Sequence, residues 1–560
     1  MKIHLSIFLF FFTLIISANK HFTARIYYND VSDYNKLLAY DVLEYNNVTE
    51  KYFLAIVNDS AFEQLKKDGW KVSRDNIQTL QAQSSLQNFS SGYRTIDELY
   101  QDMAAITSDY PDISEIVDYG DAYCKSLGTT YLTPGGDTQQ VYDLLAIKIT
   151  NKKIHADKPV FFLMAGIHAR EITTPEVAMR MIDYLTQNYE NNADVRWIVD
   201  YQETWIVPSV NPEGHWIVEL GAEQASGIPY SQRKNANHDD GSTVWPPGTS
   251  SFSGSQYGVD LNRNHSYKWG LTGSSSNPSD MTYRGSTTNS EPEVYELQNF
   301  LTNLFSDQRI ENQAAPTNTT GILISMHSYS KLVLWPWGYT SANAPNHAAL
   351  KMIGDKFATY NHYTSESSSG LYPTAGDTTD WTYGELGVPA FTFELGNSFM
   401  PAYSIIDSVQ WPKNRPALLY AAKIARMPYM LIKGPDVSEV TFSYATGNLV
   451  KVSAKIDDSK NGGAIISSTE LSIGYPNWIS NSIPYQMLPE DGIFDSQIET
   501  VSVYIAINEF NSDTEMIFID GQDADGNSGP VTAAFSNSIP EPCYFYFANT
   551  WILFIIFLRR

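Results

Sequence analysis

His168 and Glu171 stand directly after the apolar run 159–167, and His327 directly after a second, 321–326. Two imidazoles and one carboxylate at strand ends can hold a zinc ion with its fourth position open. Such a site polarises a carbonyl and ionises a water. With two cysteines in the chain, a mainly thiolate cage is excluded. Alone, His-x-x-Glu is a weak signal. The competing readings are a solvated surface turn and, for His327, a buried imidazole bonded to a backbone carbonyl.

The elements that must position these residues are legible. The run before His168 is too short for a membrane span and reads as a buried strand. Thr174-Pro175-Glu176 reads as a helix start, with a hydroxyl N-cap and proline in the first turn. Val177, Met181, Tyr184 and Leu185 then share one face. His168 and Glu171 are thus expected in a strand-to-helix loop, at the strand end where ligands gather in open α/β sheets. Residues 391–396 read as a strand carrying Glu394. A carboxylate there is either a salt-bridged structural group or a general base whose proton affinity burial raises. Arg263 suits fork-like recognition of a carboxylate. Asp260 could accept a hydrogen bond from a ligand imidazole.

Together the segments His168–Glu171, Val210–Gly214, Arg233–Asn235, Asp260–Asn264, Met326–Tyr329, Tyr372 through Trp381 and Phe391–Leu395 resemble, in order, those of the zinc metallocarboxypeptidases of the carboxypeptidase A/B group. The resemblance spans roughly residues 91–433. It implies one Zn²⁺ per chain held by His168, Glu171 and His327, a ligand set established for that family. It implies Glu394 as the base that passes a proton from water to the leaving amine. Arg233 stabilises the oxyanion, Asn262 and Arg263 clamp the terminal carboxylate, and Tyr372 closes over the substrate. Peptide hydrolysis needs a nucleophile, an oxyanion site and a proton for the amine, and this set supplies all of them.

The family's specificity pocket falls on Gly338, Ser367, Thr374, Asp377 and Thr379. Small neutral residues there imply apolar or aromatic C-terminal side chains first. Asp377 resembles an acidic pocket residue of carboxypeptidase T-like enzymes, which implies tolerance of Lys and Arg. As a residue after Gly376 it also reads as a turn-stabilising Asp. The stretch 221–250 looks expanded. Two alternatives compete: a related zinc amidase acting on peptidoglycan stem peptides, and an inactive membrane-tethered binding protein with a peptidase fold.

The expected fold is an α/β/α catalytic domain (91–433) on a mixed eight-stranded-type sheet. A small α+β pro-domain (20–88) precedes it, and a C-terminal β-sandwich, Ig-like (434–538), follows. By analogy the pro-domain covers the cleft and is removed near residue 90, and its shortness implies weak or absent inhibition. Residues 1–18 read as a signal peptide and 543–560 as a hydrophobic membrane tail, with a lipid-anchor signal as its alternative. Sequons at Asn47, Asn58, Asn88 and Asn318 agree with export. Asn264 also fits a sequon but abuts Arg263, which argues against a glycan. The expected location is the secretory pathway: extracellular, anchored facing outward, or lumenal. A net charge of −25 argues against nucleic acid. Partners are then peptides or proteins with a free C-terminus, and a monomer is expected.

Overall fold

The computed structural model describes residues 21–79, 89, 92–128, 130–223, 227–240, 245, 256–479, 482–510 and 516–536. The signal and tail readings, and Asn88, lie outside them. The chain divides into two compact units, Met1–Asn191 with Val195–Ile432, and Asn192–Asp194 with Lys433–Arg560.

The first unit opens with an antiparallel sheet. Its strands are β1 (Phe22–Tyr27), β2 (Asp41–Asn47), β3 (Tyr52–Val57) and β4 (Lys71–Arg74), in the order β2-β3-β1-β4. The helix Asp59–Lys67 is capped by Asn58, whose Oδ1 accepts from the Ala61 amide at 2.8 Å. The core of this sheet runs into Leu334, Leu371 and Tyr372 further along the chain.

The main sheet holds β5 (Ser114–Asp121), β6 (Asp143–Ile149), β7 (Val160–Met164), β8 (Glu203–Val207), β9 (Ile322–His327), β10 (Leu332–Trp335), β11 (Thr364–Ser367) and β12 (Ala390–Glu394). The order is β11-β10-β12-β9-β7-β8-β6-β5. Strands β12, β9, β7 and β8 run parallel, while β10 and β6 run against them. Every residue of β7, β9 and β12 is buried. That is why they read as near-continuous apolar runs, broken only by Ser325 and Thr392 before the terminal His327 and Glu394: a central parallel strand is covered on both faces. Parallel pairing also brings the carboxyl ends of β7, β9 and β12 to one edge, with Glu394 directly opposite His327.

The helix after β7 spans Thr173–Gln187 and has no side-chain N-cap. Thr174 instead ties the loop to the strand end. Its hydroxyl accepts from the Gly166 amide and donates to the Glu171 carbonyl, both at 3.0 Å. Gly166 has φ +65° and its α-carbon faces Ser209, so a side chain there is doubly disfavoured.

The second unit has two four-stranded antiparallel sheets. One is Asp436–Ala445, Leu449–Asp457, Ile498–Ala506 and Leu488–Pro489, and the other is Pro484–Gln486, Ile466–Ile473, Met516–Asp523 and Thr532–Phe535. Leu449–Asp457 alternates buried and half-buried along its length, the period-two pattern of a strand with one covered face. Val450, Val452 and Ile456 from one sheet share a core with Leu471, Ile517 and Ile519 from the other. The acidic run after residue 519 closes as a turn, with Asp523 accepting from the Asn527 amide at 2.7 Å. Among the described residues, no helix is long and apolar enough to cross a membrane.

Candidate metal centre and active site

The loop after β7 and the end of β9 bring His168, Glu171 and His327 together, all buried. His168 Nδ1 lies 2.7 Å from Glu171 Oε1, and His327 Nδ1 lies 3.2 Å from Glu171 Oε2. The two Nδ1 atoms face each other at 3.2 Å. Two nitrogens on a tetrahedral zinc, each about 2.0–2.1 Å from it, sit at about that spacing. The donor set therefore fits zinc. Outer partners fix both rings: His168 Nε2 lies 3.2 Å from Asp260 Oδ1, and His327 Nε2 lies 3.1 Å from Ser325 Oγ. Such contacts set ring orientation and tautomer. Burial works against ionisation of Glu171, yet the two imidazoles outweigh it and hold the carboxyl below its usual range.

The other predicted residues surround this cluster. One cavity is lined by His168, Arg233, Asn262, Arg263, His327, Tyr372, Asp377, Thr379 and Glu394. Arg233 donates to Asp260 Oδ2 from Nε at 3.0 Å. Asp260 so links the oxyanion candidate to His168. Arg263 spends two N–H groups on backbone, donating to Gly273 O at 3.0 Å and Asn262 O at 2.8 Å. Asn262 Oδ1 accepts from the Thr378 amide at 3.0 Å. Glu394 is 3% exposed and its Oε2 has no hydrogen-bond partner. Burial, then Glu171 and Glu44, push its carboxyl well above the ordinary range. Asp377 caps the helix Thr378–Leu386, accepting from Asp380 N at 2.9 Å, Thr379 Oγ1 at 2.8 Å and Thr374 Oγ1 at 3.2 Å. Ser368 rather than Ser367 stands in the cavity wall, because Ser367 ends β11 in register with Trp335.

Three residues that sequence reasoning missed come from the N-terminal region, Asp41 and Glu44 from β2 and Tyr34 from the short helix Val31–Lys36 before it. Glu44, on β2, lines the same cavity and accepts from Arg233 Nη1 at 2.7 Å. Asp41 receives two hydrogen bonds from the fully buried Arg170, each 3.1 Å. The ring of Tyr34 stacks on Tyr372, centroids 4.3 Å apart and planes within 4°. The only sequence signal for any of them was an acidic pair, Asp41 and Glu44, flanking the apolar Val42 and Leu43.

A second carboxylate cluster anchors the loop that carries Arg233. Asn235 Nδ2 donates to Glu291 at 2.7 Å and to Glu293 at 3.2 Å, and its Oδ1 accepts from the Val259 amide at 2.9 Å. Glu213 accepts from the amides of Cys124 and Lys125 at 2.6 and 2.9 Å. Burial pushes Glu213 up to about 7 and Glu293 up to about 8.

Fold and site together define a metal-dependent α/β hydrolase. A family model described as zinc carboxypeptidase matches residues 99–411. Carboxypeptidase O of Bos taurus is 28% identical over 325 residues, 56% of this chain and 72% of that protein. Carboxypeptidase A1 of Rattus norvegicus is 26% identical over 382 residues, 66% of this chain and 77% of that protein. Two solved structures share the fold. Carboxypeptidase A from Helicoverpa armigera has a TM-score of 0.54 at 18% identity, over 72% of this chain and 97% of that one. Thrombin activatable fibrinolysis inhibitor has a TM-score of 0.52 at 21% identity, over 72% and 98%. The chain belongs to the zinc carboxypeptidase family. It is a zinc-dependent hydrolase, and His168, Glu171 and His327 form a cluster whose donors fit one zinc ion.

Proposed function

We propose that this protein removes C-terminal residues from peptides, with His168, Glu171 and His327 as the metal ligands. One observation carries the reading: Arg263 and Glu394 line the same cavity as the two imidazoles. Bound zinc supplies a Lewis acid that polarises the scissile carbonyl and acidifies water. Glu394 takes the proton of the attacking water and delivers it to the leaving amine. Arg233 donates to the developing oxyanion. Arg263 and Asn262 receive the terminal carboxylate, which makes the enzyme an exopeptidase, and Tyr372 covers the substrate. A guanidinium at the pocket end disfavours the amidase alternative. The complete set of ligands and base disfavours an inert binding protein.

For the pocket we propose apolar or aromatic side chains first, with tolerance of Lys and Arg. Leu334 and Leu371 in the wall support the first part. Asp377 supports the second, although its oxygens already serve the helix cap. Mass spectrometry of peptides ending in Phe, Leu, Lys or Glu, digested with and without a chelator, tests both parts. Preferential release of Glu overturns the specificity, and chelator-insensitive release overturns the mechanism.

The N-terminal α+β region is proposed as a pro-domain. Glu44 on Arg233 and Tyr34 on Tyr372 support a firmer block than its length implies. Export, a membrane tail and an Ig-like C-terminal module complete the reading. Exposed Asn318 suits a glycan. Asn264 does not, being fully buried with its Nδ2 bonded to Arg284 O, Thr287 O and Ser290 Oγ.

A further inference from the structure

A second pocket lies against the strand end that carries Glu394. It shares no lining residue with the cavity above. Its volume is about 410 Å³, within the range of small-molecule sites. One wall is apolar, built from Pro401, Ala402, Ile405 and Val409. Val409 is 39% exposed. Lys331 and Lys413 also line it, and no acidic residue does. For a chain of net charge −25 that is an unusual local balance.

The deciding group is Gln410. It is 1% exposed, its Oε1 accepts from the Thr173 hydroxyl, and its Nε2 has no hydrogen-bond partner. That nitrogen faces Gly396, where an added Cβ would lie 2.7 Å from it. A buried N–H without an acceptor is costly, and an acceptor brought in by a ligand removes the cost. Gln410 also closes a π-helical turn, Ile406–Gln410, a local form that gathers at functional sites. Two of the pocket's lining residues belong to segments that hold Glu394. Lys331 N donates to the Glu394 carbonyl at 2.8 Å, and Gly396 N reaches Tyr363 Oη at 3.4 Å.

Two ammonium groups and an amide donor, set against an apolar wall, recognise an anion with an apolar body. The lysines repel any ligand that also carries an ammonium group, which excludes a free amino acid. We propose that this pocket is an accessory binding site for a small amphipathic monocarboxylate. The carboxylate meets Lys331, Lys413 and Gln410 Nε2, and the alkyl or aryl body lies on Ile405 and Val409.

The test is calorimetric titration of octanoate into the full chain and three variants. The expected result is saturable one-to-one binding that Arg263→Ala leaves within about twofold. The double variant Lys331→Glu/Lys413→Glu should weaken it at least tenfold. Val409→Trp, which fills the pocket and keeps both charges, should do the same, and it carries the test if the double variant fails to fold. Octylamine should not bind. Three results overturn the proposal: no saturable binding by the native chain, loss of binding in Arg263→Ala with retention in the pocket variants, or equal binding of octylamine.

Discussion

The metal centre and the Asn235 cluster bury the same kind of group and treat it in opposite ways. At the metal centre Glu171 sits among imidazoles, and Asp260 lies between Arg233 and His168. Both carboxyls fall below their ordinary range because imidazole and guanidinium partners face them. In the Asn235 cluster, Glu213, Glu291 and Glu293 meet neutral amides and a hydroxyl. Their carboxyls rise instead, because hydrogen bonds from neutral groups do not offset burial. The same side chain is thus a charge in one place and a proton store in the other. The partner type decides which.

Breaking the charged side should have the largest effect. Glu394→Gln keeps the shape and removes the proton acceptor, so kcat should fall about 10²–10⁴-fold. Zinc content by elemental analysis should be unchanged, and retained activity would remove Glu394 from the mechanism. Arg233→Ala should cost about 10²–10³-fold in kcat, read on enzyme from which the N-terminal region has been cleaved. Asp41→Ala removes the carboxylate that receives two hydrogen bonds from the buried Arg170, a loss of about 3–5 kcal/mol for a buried pair. It should loosen the N-terminal sheet, and peptide hydrolysis by the uncleaved chain should rise. An unchanged rate would mean that the sheet does not restrain the site.

The neutral side yields a smaller, pH-dependent effect. Glu213 and Glu293 keep protons in the folded chain that the unfolded chain releases near the ordinary value of 4.5. Their stabilising contribution is therefore complete below about 4.5. It drains away as pH rises toward about 7 and about 8. Glu293→Gln holds a neutral amide at every pH. Its melting temperature should gain on the native chain by about 2–4 °C between pH 5 and pH 8. Parallel melting curves across that range would contradict the protonated assignment.

Much of the site was legible because its signals are local. His168 and Glu171 share one loop, and each apolar run ends where a chemical side chain begins. The eight strands were less so, since the order β10-β12-β9 cannot be read from chain order. Glu44 was invisible for a similar reason: its partner Arg233 is brought to it only by tertiary packing. The cap expected at Thr174 was misread for a subtler one. Thr174 has a capping side chain, but the Gly166 amide competes for its oxygen.

The position of β12 has a consequence for biosynthesis. It is the last strand of the main sheet to leave the ribosome, yet it lies between β9 and β10, both made before it. Until it inserts, β9 presents an open backbone edge, the kind of surface on which incomplete chains associate. It is also the strand that brings Glu394. A polypeptide halted before that point carries all three proposed metal ligands and lacks the proposed proton acceptor, so on the proposed mechanism an unfinished copy is inactive.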